Sequence, residues 1–239
     1  MEKYYPESQF AGFTDVDGNI IFHTRVNALI EPHMVFLDVG CSNGAHRLHD
    51  EVTYRKNLKI YKGKVKQVIG IDVDEKSREN PFLDEFRLIT ESWPIENESI
   101  DLCLCESVVE HISNPEHFFS EFQRVLKRGG YLCINTPNLF NYVSFISHMI
   151  PSKHHANILN KVQQGRKQDE VWPTYYKCNT IRKLQRMLNK YGFEGVVYGY
   201  EPEPGYLKFS SLAYFFGVLH QRYAPKFLKP VIFIFAKKV

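Results

Sequence analysis

Gly40, Ser42 and Gly44 follow the apolar run Val35–Val39, and a helix is expected from Ala45. Glycine at 40 permits a tight turn with dihedrals that other residues avoid. Glycine at 44 lets a ligand or the next helix approach the backbone closely, and the helix start presents free N–H groups. A GxxxG turn also serves as a plain strand–helix connection. Asp72 lies 28 residues beyond Gly44 and ends a second apolar run. An acidic residue there accepts hydrogen bonds from ribose hydroxyls in doubly wound folds, since a carboxylate accepts two at once. The same aspartate could instead cap a helix. Asp74 is the neighbouring candidate, but strand alternation points it elsewhere. His111 is the candidate general base, because a neutral imidazole suits proton removal near pH 7. A helix-start histidine with a structural hydrogen bond is the plainer reading of it.

The glycine turn and Asp72 suit any adenosine cofactor. Ser42 interrupts the three-glycine dinucleotide pattern, and no GxxxxGK[ST] phosphate loop occurs. Nicotinamide and nucleoside-triphosphate readings therefore fall.

Several elements must position these residues. Apolar runs at 34–39, 66–72, 101–105 and 130–135 read as strands of a parallel sheet covered on both faces. Between the last two, Asn114 can cap a helix, Pro115 suits its first turn, and Phe118, Phe119, Phe122, Val125 and Leu126 follow helical spacing up to Gly129 and Gly130. Strand, helix and strand in alternation give a right-handed parallel α/β unit. A helix capped at Asn179-Thr180 is expected over 181–191, then a strand at 193–200, a helix through 212–219 and a last strand at 231–236. Residues 139–178 hold no clear strand and read as an insertion within a single domain of 1–239, with a short aromatic helix at 139–150.

The segment 37–44 resembles the first motif of class I S-adenosylmethionine (SAM)-dependent methyltransferases. Residues 68–73 are similar to their ribose motif, and 88–103 to their adenine loop leading into strand four. Residues 106–115, then 122–130 and Thr136-Pro137-Asn138, resemble the run that follows. The likeness covers 34–138 well and 175–239 more loosely. It implies an α/β doubly wound, Rossmann-like sheet of seven mostly parallel strands, with an antiparallel edge strand and a helical insertion after strand five. It implies SAM as cofactor and S-adenosylhomocysteine as product. Gly40, Ser42, Asn43 and Gly44 would line the methionine and ribose portions, and Asp38 would anchor that turn. Asp72 and Val73 would hold the ribose, and Glu91 and Ser92 the adenine edge, with Trp93 packed nearby. Glu106 would sit near the methionine end.

Two departures matter. Ser42 replaces the usual middle glycine, and the adenine contact is a glutamate, Glu91, in place of the usual aspartate. Glu110-His111 is similar to relatives that bind a divalent ion, but Ser107 stands where their first acidic ligand would be, so no metal is expected.

Loops after strand ends carry specificity in such folds. Tyr142, Trp172, Tyr175 and Tyr176 are the candidate acceptor residues, since aromatic faces suit sugars, rings or lipid-linked groups. A small-molecule or glycan acceptor methylated on oxygen is the leading expectation. A quinone-like or lipid-linked acceptor at a membrane surface is the second, resting on the basic and aromatic stretch 139–167. A non-catalytic SAM-binding protein is the third.

Composition narrows the class further. Thirty basic and 27 acidic side chains leave a net charge of +3, too balanced for a dedicated nucleic-acid binder. Five cysteines without a CxxC pair give no disulfide framework and suit a reducing, cytoplasmic setting. The first residues lack the basic start and apolar stretch of a signal peptide, and the apolar stretch 212–219 is too short to span a bilayer.

Overall fold

The computed structural model describes residues 2–142 and 172–239. Helix α1 (Gly18–Leu29) leads into strand β1 (Val35–Val39), followed by short helices α2 (Ala45–Leu48) and α3 (Thr53–Leu58). Strands β2 (Gln67–Asp72), β3 (Glu85–Leu88) and β4 (Ile100–Glu106) precede helix α4 (Pro115–Val125) and strand β5 (Leu126–Pro137). Helix α5 (Ile181–Lys190), strand β6 (Phe193–Tyr200), helix α6 (Ser211–Tyr223) and strand β7 (Val231–Lys238) complete the chain.

The seven strands form one sheet in the order β3-β2-β1-β4-β5-β7-β6. The first five run parallel, and β7 lies antiparallel between β5 and β6. The apolar runs are buried on alternate faces. Leu37, Ile69, Ile71, Cys103, Leu132 and Ile234 pack with Phe119 and Phe122 of α4 and Leu184 of α5. Phe36, Val68, Leu102, Cys133 and Phe233 pack on the other face with Phe22 and Val26 of α1 and with Tyr61. A strand buried on both sides has no polar alternation to show, which is why these read as continuous apolar runs.

Local capping follows the sequence. Asn114 accepts from His117 N at the start of α4, Thr180 from Lys183 N at α5, and Asp17 from Ile20 N at α1. Two expectations are corrected. Helix α4 ends at Val125, not at Gly129-Gly130, because β5 already pairs at Leu126 with Ile100. The register then shifts before Tyr131 meets Leu102, and Gly129 supplies the positive φ (+79°) inside that irregularity. The helix after Gly44 is a single turn of four residues. The N–H groups there belong to the turn itself, with little helix dipole behind them. The expected helix at 139–150 and most of the insertion lie outside the described residues. All five cysteines are buried and free.

Candidate active site

Strand register sets the site. Val39 pairs with Ile71 on one side and Cys105 on the other, and Glu106 pairs with Asn135. The carboxyl ends of β2, β1 and β4 therefore bring Asp72, the 40–44 turn and Glu106 to one level. With neighbouring strands about 4.8 Å apart, Asp72 and Glu106 flank the turn at roughly 10 Å from each other.

The turn is braced from both sides. Gly40 adopts φ +72°, and a Cβ there would lie 2.3 Å from Val108 Cγ2. Ser42 also takes a positive φ (+52°), and its N–H donates to Asp72 Oδ2 at 2.9 Å. Asp74 N–H donates to Asp72 Oδ1 at 3.0 Å, while the Asp74 side chain caps the turn at Lys76. Asp72 thus bridges two loops and keeps a second lone pair on each oxygen. Asn43 Oδ1 accepts from Ala45 N at 3.0 Å. Gly44 is buried at φ +78°, and a Cβ there would meet Asn80 Oδ1 at 2.7 Å. Asn80 in turn donates to the carbonyls of Cys41 and Ser42, both at 3.0 Å. Backbone clamped this closely leaves room only for glycine at 40 and 44.

Beneath the turn lies a buried polar layer. Asp38 pairs with Arg47 at 2.6 Å, both side chains almost fully enclosed. On the same face of the sheet, Tyr61 Oη lies 2.6 Å from His23 Nδ1, and His23 Nε2 lies 3.2 Å from Glu106 Oε1. The last contact has the distance of an ion contact without the alignment of a good hydrogen bond. Asn135 Nδ2 donates to the same oxygen at 3.3 Å. Burial pushes the Glu106 carboxyl up, but His23 first, then Arg47 and Lys59, outweigh it and hold it well below the usual carboxylate range. Glu106 is therefore an anion at neutral pH.

The remaining expected residues fall into groups. Val73, Glu91 and Ser92 are exposed at the carboxyl ends of β2 and β3. Trp93 is buried, with its ring edge-to-face on Phe118 and Phe122 at 5.5 and 5.0 Å, and its backbone N–H donates to Glu121 Oε2. His111 ends a short turn after β4; its Nδ1 lies 2.9 Å from the Pro173 carbonyl and its Nε2 3.9 Å from Glu110. The N–H groups of Tyr175 and Tyr176 both donate to the Glu110 carbonyl. The 172–176 segment is thereby stitched to the β4 end of the site. Trp172 and Tyr175 are about half exposed. Among the described residues, no cluster of metal-binding side chains is present.

The pattern of the methyltransferase-domain family matches residues 37–134. The match covers less than half of the chain. No curated protein matches it in sequence. Among solved structures, a chain from the complex of the Haloferax volcanii Trm112 methyltransferase activator and a putative methyltransferase aligns with TM-score 0.54 at 14% identity, over 90% of this chain and 88% of that one. Geranyl diphosphate C-methyltransferase from Streptomyces coelicolor A3(2), solved with S-adenosylhomocysteine, aligns with TM-score 0.53 at 13% identity, over 92% and 74%. The [4+2]-cyclase SpnF aligns with TM-score 0.52 at 15% identity, over 90% and 80%. At these identities the likeness is one of fold, and the cyclase is a reminder that a fold does not fix a reaction.

The site has partners that the sequence motifs did not announce. His23 and Tyr61 come from outside the turn and reach Glu106 only through the packing of α1. Glu201, just after β6, is buried and holds His220 Nδ1 of α6 at 2.8 Å, with Lys229 Nζ at 3.5 Å. The Tyr142 ring packs edge-on against His220 at 4.9 Å. A carboxylate immediately before a proline, with a histidine 19 positions on, carries no sequence signal for such a pair. Among the described residues, no helix is long and apolar enough to cross a membrane.

Proposed function

We propose that this chain binds SAM across the 40–44 turn and transfers its methyl group to a hydroxyl of a small molecule or glycan. The observation that carries this reading is Asp72, which is fixed by the N–H groups of Ser42 and Asp74 and aims a charged acceptor pair along the glycine turn. The residues suit the cofactor. A side chain at 40 or 44 would fill the cradle, Asp72 matches a ribose diol, and Glu106 matches a cationic amino group. Bound SAM would supply an electrophilic methyl group on a sulfonium. The protein's part is alignment, worth roughly 7–11 kcal/mol in well-oriented model systems, together with removal of the acceptor's proton. His111 suits that second task. Donation from Nδ1–H to the Pro173 carbonyl leaves Nε2 as the basic nitrogen. Tyr142, Trp172, Tyr175 and Tyr176 would supply aromatic surface for the acceptor.

The test is transfer of label from methyl-tritiated SAM to a panel of hydroxyl, amine and carbon acceptors. Label in hydroxyl acceptors alone, with His111→Gln lowering kcat but not SAM affinity, supports the reading. Label in amines or carbon acceptors overturns the hydroxyl assignment, and loss of turnover in His220→Gln alone moves the base to α6.

A further inference from the structure

Helix α6 is apolar on two faces. Tyr214, Gly217 and Val218 turn inward, and Tyr214 and Val218 form a small core with Tyr5. A Cβ at Gly217 would meet Pro204 and Leu207 within 3 Å, so the helix is seated closely. The opposite face repeats at helical spacing with Leu212, Phe215, Phe216 and Tyr223, and Phe209 stands just before it. Leu212 is 66% exposed, Phe216 59%, Phe209 64% and Tyr223 78%. Phe215 is partly covered by the Tyr4 ring, with centroids 6.4 Å apart, and the other four side chains stand open among the described residues. Scattered exposed apolar residues need no explanation, but a contiguous row of this kind marks an interaction surface.

Charge selects the occupant. Glu203 is the last acidic residue of the chain, and the 36 residues after it hold six lysines and arginines. Lys208, Arg222 and Lys226 are exposed and flank the stripe. A second copy of this chain docking face to face would set these cations against themselves. An anionic bilayer meets both features. Aromatic and aliphatic side chains enter the headgroup boundary, and the basic heads remain at its surface. A helix of 13 residues is about 20 Å long, suited to lying in that plane and far too short to cross it.

We propose that the outer face of α6, with Phe209 before it and Lys208, Arg222 and Lys226 beside it, docks the chain onto an anionic lipid surface. The proposal uses none of the residues of the 139–167 stretch. The proposal also does not depend on the methyl-transfer reading, because its test contains no methyl acceptor. His220 of α6 touches Tyr142, so docking would bring the acceptor side of the domain close to the membrane.

The experiment is co-sedimentation of the full chain with phosphatidylcholine vesicles and with vesicles containing about 30% phosphatidylserine. The expected result is binding to the second only, weakened by salt. Neutralising Lys208, Arg222 and Lys226 to Gln should lower the partition about fivefold per charge, on the order of 100-fold together. Leu212→Ser with Phe216→Ser should abolish binding with unchanged circular dichroism, since both side chains are exposed. Absence of binding to anionic vesicles overturns the proposal. So does binding that survives the α6 substitutions and is lost on charge reversal at Lys161, Arg166 and Lys167. A light-scattering dimer that becomes monomeric in the Leu212→Ser/Phe216→Ser chain, without vesicle binding, assigns the stripe to a second copy instead.

Discussion

Replacing Asp72 with alanine separates cofactor binding from folding. In the structure each carboxylate oxygen accepts one backbone N–H, from Ser42 at 2.9 Å and Asp74 at 3.0 Å. Each retains a lone pair for a ribose hydroxyl. A hydrogen bond to a charged group is worth about 1.5–3 kcal/mol. Taking the lower figure for two hydroxyls gives about 3 kcal/mol, or roughly a 150-fold rise in Kd. The cost to folding is smaller. Ser42 is exposed, so water can replace the carboxylate at its N–H. The loss of about 1 kcal/mol corresponds to a fall of roughly 2–4 °C in Tm for a chain of this size. Calorimetric titration with SAM and with S-adenosylhomocysteine, alongside a thermal melt, reads both quantities. Asp72→Asn should fall between wild type and Asp72→Ala, because one oxygen is kept as an acceptor. Binding by Asp72→Ala within about threefold of wild type, with a lowered Tm, would refute the reasoning and leave Asp72 as a brace for the turn alone.

Gly40→Ala should lower both Tm and SAM affinity, because its Cβ would stand 2.3 Å from Val108 Cγ2 at a φ of +72°. Adding Val108→Ala should recover the part due to the clash and leave the dihedral cost of about 1–2 kcal/mol; full recovery in thermal melts would show that the φ is not strained. The pH dependence of stability should pass through Asp50. Burial pushes its carboxyl up, but hydrogen bonds from Arg55 and Lys59 outweigh that and bring it from 3.8 to about 2. A lowered folded pKa gives stability that is present above pH 3.8 and lost as pH falls toward 2. Asp50→Asn should therefore cost about 2 kcal/mol in urea denaturation at pH 7, with the gap closing by about pH 2. A gap that persists at the lower pH would sink the assignment.

The sheet was legible because β1, β2, β4 and β5 are apolar on both faces, and β6 and β7 retain β-branched and aromatic residues. Strand β3 was not, since Glu-Phe-Arg-Leu is short and only partly buried at the sheet edge. Helix α1 was missed for the opposite reason. Ile20, Phe22, His23 and Val26 are buried, but Ile21 and Leu29 are also apolar, so no single face stands out. In the site, Gly40, Gly44 and Asp72 could be read because their roles depend on local backbone and on a strand end. Arg47, His23 and Asn80 could not. Their partners Asp38, Glu106 and the 41–42 carbonyls lie 9, 83 and 38–39 residues away, and only folding brings them together. Trp93 shows a further limit. It was expected to pack near the adenine, while its ring is turned into the core against α4.

The ion contact between His23 and Glu106 bears on where this protein can be cut. The stretch that matches the methyltransferase-domain pattern starts at residue 37, after α1 has ended. A fragment begun there would retain the glycine turn, Asp72 and Glu106, and it would look complete by its motifs. It would also have lost the side chain that faces Glu106 and the rings of Phe22 that meet Phe233 and Phe235 across the sheet. The recognisable unit and the folding unit therefore have different lengths, and the difference is a helix that no motif includes.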